Sequence, residues 1–505
     1  MSKMKLVNQK SLLSWALLLL LFHTASLKAQ EELTLQECRE RAMKQNKKIE
    51  IANENALALN SLEKSAKTLY YPNIKFNGGY FRMNKQLSLF SENMFLPVVP
   101  QEVYRDGLSA LDPSQNPDLV RETMVTQDVN GIPIPVEDPK TGNPMFDQYA
   151  MLPKDEARFD LENVFFGNVG LRQPIYTGGK IRETYNMARY SRQMMQAKKH
   201  VSTSEVIVET DKRYWEVISL KEKVKLAEEY LKRLNALMGD VKNLHNEGIV
   251  TNNKVMEVEV KKNKIDLRLT KARNGLELAR MALNQTLGFP LDTIIHLSDS
   301  LGSIDKLSNP ETYKKQALNQ RPEINALDKG VKVAESGEEL MKSRYLPNVG
   351  LTANYTFSNP NPFNGFENEF GGTANVCVFV NIPIYNWGER RHTLEAVRHK
   401  KRASMKKLEQ TRELISLEVK KAVFRYNESI KKIEMTKSSL EQAKENLEIT
   451  KNNFDEGMAK STDVLEAQSM WQEAYSDYID AMTEYQLNKT KLMKASGQLT
   501  QNEKQ

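Results

Sequence analysis

The sequence predicts a mainly α-helical chain written twice from one helix–strand–strand–helical-hairpin unit, its strands suited to a membrane β-barrel. Three observations lead there. Residues recur at constant spacing along the chain, which marks one block used twice. Four short segments alternate apolar and polar residues over about ten positions, the length of a tilted membrane strand. Two stretches without glycine or proline, 182–238 and 389–456, carry a seven-residue apolar spacing.

The first 29 residues read as a secretory signal: Lys3, Lys5 and Lys10, an apolar run from Leu12 to Phe22, then Ala29 before Gln30. No cysteine stands near that junction, which argues against a lipid anchor. The first copy occupies 30–304 and the second 305–505. Gln45, Ile49, Lys67, Pro72, Asn73 and Tyr80 return 275 positions later as Gln320, Ile324, Lys342, Pro347, Asn348 and Tyr355. Pro174, Tyr176, Gly179, Arg182, Glu247, Gly248 and Gly288 return 209 later as Pro383, Tyr385, Gly388, Arg391, Glu456, Gly457 and Gly497. The first copy therefore holds 66 extra residues between its strands. They fall within 84–159, which has nine of the 18 prolines and reads as an outward-facing loop.

In the first copy Ile74, Phe76 and Tyr80 share one face, as do Phe165, Val169, Leu171 and Ile175, although Gln173 interrupts the second set. In the second copy Leu351, Ala353, Tyr355 and Phe357 alternate with polar residues, and so do Val376, Val378, Val380, Ile382 and Ile384. Tyrosine and proline stand at the foot of all four strands, at Tyr71, Tyr176, Tyr345 and Tyr385, with Trp387 nearby. Such rings suit a membrane–water boundary, and proline ends a ladder. The soluble alternative makes them ordinary strand ends.

Each glycine-free stretch is long enough for a helix of about 85–100 Å. Val419, Tyr426, Ile433, Leu440, Leu447 and Phe454 fall seven apart, and Val217, Val224, Leu231 and Met238 occupy the matching places. That predicts one narrow coiled-coil seam per helix, with the remaining faces polar. Each helical hairpin turns at a glycine, Gly248 or Gly457, expected to take a left-handed C-cap. Asp463 reads as an N-cap with Glu466 three residues on, the capping-box spacing.

Hydrophobic content of 40% with 27% charge suits long helices better than a large globular core. Without the signal lysines the formal charge falls from +7 to +3, so nucleic acid is not implied. Cys38 and Cys377 fall at unrelated places in the two copies and do not argue for a disulfide. Beyond the signal no apolar run reaches 18 residues. No catalytic constellation, cofactor motif or metal-ligand spacing occurs, so the expectation is not an enzyme. Gly178-Gly179-Lys180 lacks the leading glycine and the final Ser/Thr of a phosphate loop and reads as a hinge.

Phe454-x-x-Gly457 followed by Thr462-Asp463-Val464-Leu465-Glu466-Ala467 resembles the second hairpin tip of the TolC family of outer-membrane efflux channels. Glu247-Gly248-Ile249 resembles the first, and Arg321-Pro322-Glu323-Ile324 with the two Tyr-x-Pro-Asn strand starts is similar to that family. The resemblance spans about residues 32–498. It implies a homotrimer in a Gram-negative outer membrane, with a twelve-stranded barrel (four strands per chain) and a long α-helical periplasmic tunnel. It further implies the exit duct of a tripartite efflux or type I secretion system, passive, and gated at the tips. Asp463 and Glu466 match the gate acids. Glu247, Gly248, Ile249, Glu456, Gly457 and Met458 match the docking place of a periplasmic adaptor, and an inner-membrane pump or ABC exporter completes the system. Lys254 and Ala459 depart from the family pattern, so Lys254 or Lys460 becomes the candidate partner of Asp463. The competing expectation is a periplasmic coiled-coil adaptor or scaffold without a barrel. An open sheet edge in lipid leaves backbone groups unsatisfied, so four strands require further copies to close.

Overall fold

Thr34 starts the helical part of the chain. Its hydroxyl accepts from the Glu37 amide at 3.3 Å, and the Glu37 carboxylate accepts from the Thr34 amide at 2.8 Å. Asn46 ends the first helix and caps the next, accepting from the Lys48 amide at 2.9 Å. The structure is a computed structural model that describes residues 32–84, 161–302, 304 and 310–500, with short stretches between 87 and 159. The expected signal segment 1–29 and most of the loop 84–159 lie outside the described residues.

The chain divides into two compact units. One holds helices α1 (Leu35–Gln45), α2 (Lys47–Thr68), α3 (Lys180–Asn246), α4 (Asn252–Leu287), α5 (Pro310–Gln320), α6 (Pro322–Ser343), α7 (Glu389–Asp455) and α8 (Ser461–Ser496). Copy for copy the lengths agree: 11, 22, 67 and 36 residues, then 11, 22, 67 and 36 again. The first long helix outruns the expected 182–238 because Gly239 sits inside it, in open space on its side-chain side, where one glycine costs only about 1 kcal/mol. A two-residue parallel pair, Glu32–Leu33 with His296–Leu297, ties the start of the first copy to its end.

Most of the expected seam is buried, Val419, Tyr426, Ile433 and Leu447 on α7 with Val217, Val224 and Met238 on α3, while Leu440, Phe454 and Leu231 are half-buried. On α3, however, the seam is not narrow. Trp215, Ile218, Leu226, Tyr230, Leu237 and Val241 are buried as well, because α3 meets α2, α4, α6 and α8. Each such apolar side chain contributes about 1.5–3 kcal/mol. Polar ties fix the registers. Arg39 of α1 grips the fully buried Asp211 of α3, which also accepts from the Thr490 hydroxyl of α8. One ion pair is duplicated outright: Glu63 of α2 with Arg192 of α3, and Glu338 of α6 with Lys401 of α7 at 2.6 Å. Cys38 is buried in this unit, and burial pushes its thiol up to about 12.

The other unit is one antiparallel sheet of β1 (Asn73–Arg82), β2 (Asn163–Tyr176), β3 (Asn348–Asn359) and β4 (Gly371–Asn381), in the order β4-β3-β2-β1. Register places Ile74 beside Leu171 and Ala353 beside Val376, and Phe76 beside Val169 and Tyr355 beside Ala374. One face is therefore apolar. The other carries Lys75, Asn77, Asn168, Arg172, Thr352, Asn354, Thr356 and Asn375, with hydrogen bonds from Asn168 to Thr356 and from Asn354 to Asn375. Cys377 lies on that polar face, unbonded.

Two strand expectations are corrected. β4 ends at Asn381, opposite Asn348, so Ile382 and Ile384 stand beyond the ladder beside Pro383, which has no amide to donate. β2 runs for 14 residues with a bulge opposite Val349 and Gly350, which removes Ile175 from its expected register. Gln173 uses its amide to reach the Tyr70 carbonyl at 3.1 Å, accounting for a polar residue on the apolar face. Between β1 and β2 the described stretches form three short antiparallel pairs, Leu87–Ser88 with Arg158–Phe159, Met94–Pro97 with Tyr149–Leu152, and Val125–Gln127 with Pro133–Pro135.

Candidate functional site

Both helical hairpins turn by the same device. At the first tip the Ile249 amide reaches the Leu244 carbonyl at 2.9 Å and the Gly248 amide reaches His245 at 2.9 Å. At the second, Met458 reaches Asn453 at 2.7 Å and Gly457 reaches Phe454 at 3.0 Å. These are the paired bonds of a Schellman cap, and they hold Gly248 and Gly457 at φ +72° and +76°. Nothing crowds either glycine, so the left-handed backbone alone selects it. The caps leave Glu247, Ile249, Glu456 and Met458 exposed at the turns.

Asp463 is not an N-cap. Helix α8 begins at Ser461, which makes Lys460 the cap and Asp463 the third helical residue. Its carboxylate reaches back to the Lys460 amide at 3.0 Å and accepts from the Thr462 hydroxyl at 3.3 Å. Only the reciprocal half of a capping box is thus formed, one turn earlier than the sequence spacing suggested, since a lysine side chain has no acceptor; Glu466 takes no part in it. The expected ion pair between Asp463 and Lys254 or Lys460 does not form. Lys254 binds Glu257 on its own helix at 3.0 Å, and Lys460 serves Asp463 through its backbone.

Glu466 instead lines a cleft between α4 and α8 with Glu257, Lys261, Lys264 and Ser469. Partial burial, then the neighbouring Lys264 and Arg268, lowers the pKa of Lys261. A second residue missed in the sequence is Lys451 of α7. It binds Asp455 on its own helix and Asp240 of α3 at 3.1 Å, so it joins the two hairpins near their tips. Partial burial opposes its charge, but the two carboxylates outweigh that and raise its pKa. Asp240 lies 211 positions from Lys451, so neither helix periodicity nor local spacing flags the pair.

The girdle candidates fall in both units. Tyr71 and Tyr176 are exposed in the sheet unit. Tyr345, Tyr385 and Trp387 belong to the helical unit, where Tyr385 and Trp387 meet edge to face at 5.0 Å and Tyr345 donates to Glu389 at 3.4 Å. In the sheet, β1 and β4 each have one neighbour and one bare edge, and Ile74, Phe76, Val376, Val378 and Val380 on the apolar face are exposed. The coiled-coil adaptor alternative requires a chain without such a sheet. No group of metal-ligating side chains occurs among the described residues.

Residues 314–498 match the Outer membrane efflux protein family. The alkaline protease secretion protein AprF of Pseudomonas aeruginosa is 23% identical over 241 residues, 46% of this chain and 49% of that one, so the match spans about half the length of that relative. Among solved structures, CusC aligns with a TM-score of 0.68 at 14% identity, covering 92% of each chain. The Campylobacter jejuni outer membrane channel CmeC aligns at 0.67 with 16% identity, covering 92% of this chain and 85% of that one. These likenesses share the fold described above, a mainly helical chain with a four-stranded sheet. The duplicated helices, the two glycine-capped tips and the open sheet are thus those of a chain whose residues 314–498 match the Outer membrane efflux protein family and whose fold is that of the solved channels CusC and CmeC.

Proposed function

We propose that this chain is the passive outer-membrane exit duct of a tripartite efflux or type I secretion system, working as a homotrimer. The observation that carries this reading is the sheet with two bare edges and an exposed apolar face. In lipid, unpaired backbone groups cost several kcal/mol each, so the edges must meet those of further copies. Three chains contribute twelve strands to one barrel, with the apolar face to lipid and the Asn/Thr face to water. Tyr71, Tyr176, Tyr345, Tyr385 and Trp387 serve as its aromatic girdle.

The two tips, Glu247-Gly248-Ile249 and Glu456-Gly457-Met458, receive a periplasmic adaptor, and an inner-membrane pump or ABC exporter supplies the energy. The exposed Ile249 and Met458 offer apolar contacts at those turns. Asp463 and Glu466 form the gate, with Lys261 and Lys264 as the cations beside Glu466. The secretion relative AprF favours a polypeptide as one cargo class.

The test is purification from outer membranes in detergent, followed by planar-bilayer recording. A heat-sensitive trimer that conducts, and whose conductance or cation block changes with Asp463→Asn and Glu466→Gln, supports the duct and its gate. A monomer soluble without detergent sinks the duct. Unchanged currents in both variants sink the gate assignment alone.

A further inference from the structure

The four strands contain no aspartate or glutamate, in a chain where 65 of 505 residues are acidic. Their charges are Lys75, Arg82 and Arg172. Arg82 lies at one end of the sheet and is neutralised by Glu162. Lys75 and Arg172 share the polar face near the other end, on adjacent strands. Arg172 stands opposite Asn73 and Thr352, and Lys75 stands opposite Gly170. Both are exposed, and neither meets a carboxylate among the described residues. The Arg172 guanidinium lies 4.8 Å from the Phe379 ring centre, and the tip of that ring occupies the space a side chain at Gly350 would fill. That contact holds the guanidinium without neutralising it. The described acids of the β3–β4 hairpin, Glu367 and Glu369, are at the far end of the sheet, with Glu369 engaged by Asn361 and Asn364.

We infer that Lys75 and Arg172 form a cationic collar on the inner wall of the barrel and favour the passage of anionic solutes. The inference rests on the polar face being the lumen, as in the proposed duct. Repeated around the barrel, the two residues contribute two positive charges per subunit at one level. A wall backed by lipid focuses their field into the water. Carboxylate-, sulfate- and phosphate-bearing solutes share the chemistry such a collar attracts. The exposed acids of the tips act in the opposite sense, so the collar is read as a change in selectivity when it is removed.

The experiment is the reversal potential across a potassium chloride gradient in planar bilayers. It is run on the full-length trimer and on a trimer carrying Asp463→Ala and Glu466→Ala, so that a closed tip does not mask the barrel. Lys75→Gln with Arg172→Gln should lower the chloride-to-potassium permeability ratio by about twofold or more. Lys75→Arg with Arg172→Lys should keep it. Heat-sensitive trimers on a gel confirm that the variants assemble. A conducting neutralised variant with an unchanged ratio overturns the collar and leaves the duct standing. If neither trimer conducts, the duct reading fails and the collar fails with it.

Discussion

Helices α3 and α7 are copies of one another, 67 residues each, yet α3 buries more than twice as many of them. Trp215 of α3 is 5% exposed, whereas Phe424, its counterpart 209 positions on, is 72% exposed. Leu226 is 2% exposed and its counterpart Met435 is 62% exposed. Within the chain α3 is covered by α8, with Leu487 packed on the cluster that holds Trp215. No described element gives α7 the equivalent cover. The helix equivalent to α8 is α4, and its Met256, Val260, Leu267 and Leu278 are also exposed. By the chain's own repetition, α4 of one copy is the natural cover for α7 of the next. In the proposed homotrimer the covered apolar stripe lies inside a subunit, and its bare copy is the expected border between subunits.

The largest expected effect tests that contrast directly. Trp215→Ala empties a buried site and should cost about 3–5 kcal/mol in urea unfolding of the detergent-solubilised protein. Phe424→Ala should leave subunit unfolding within about 1 kcal/mol of the parent, yet lower the temperature at which the trimer dissociates on a gel. Equal losses of subunit stability in the two variants would remove the distinction between inner and border helices.

A second pair of equivalent sites separates backbone conformation from crowding. Gly288 and Gly497 end α4 and α8 at φ +73° and +82°. A Cβ on Gly288 would lie 2.8 Å from the Gln45 Cβ and 2.9 Å from its carbonyl oxygen, whereas on Gly497 the nearest atom, the Gln320 Cβ, is 3.2 Å away. Gly497→Ala should cost about 1 kcal/mol, the conformational share alone. Gly288→Ala should cost about 2 kcal/mol or more, because the Gln45 Cβ and carbonyl oxygen both lie inside 3.0 Å, whereas the Gln320 and Arg321 atoms nearest Gly497 lie at 3.2 and 3.3 Å. Equal melting temperatures for the two variants would show that the last residue of α1 yields freely.

What was legible in the sequence follows the reach of each interaction. Helix length, seam and tip turns are local, so Gly248, Gly457 and the seven-residue spacing revealed them without a structure. The strands were legible as alternation. Their ends were not, since Asn381 is the last ladder residue of β4 only because Asn348 begins β3. Asp463 was placed in the right motif at the wrong position, because the cap proved to be Lys460, whose side chain carries no capping signal. Long-range pairs such as Asp240 with Lys451 were invisible. The duplicated Glu63–Arg192 and Glu338–Lys401 pairs were within reach, for both obey the 275 and 209 spacings that exposed the repeat.

Those two ion pairs supply the smallest effect, and it depends on pH. Hydrogen bonding from Lys401 holds the Glu338 carboxyl down at about 2; burial opposes this, and Arg398 and Lys342 add to the lowering. An ordinary glutamate titrates near 4.5. A depressed folded-state value means that the pair stabilises fully above pH 4.5 and that this contribution is lost as pH falls toward 2. Glu338→Gln should therefore flatten the decline of thermal stability across that window and lower stability at pH 7 by about 1 kcal/mol or less, since its partners reach solvent. The flattening should be read with Glu63→Gln as the companion variant, because Glu63 meets a single cation, Arg192, where Glu338 meets three. If the acid limb keeps its slope in Glu338→Gln, the three cations share their field with water more than with the carboxylate. The duplicated pair would then fix only the crossing of the short and long helices.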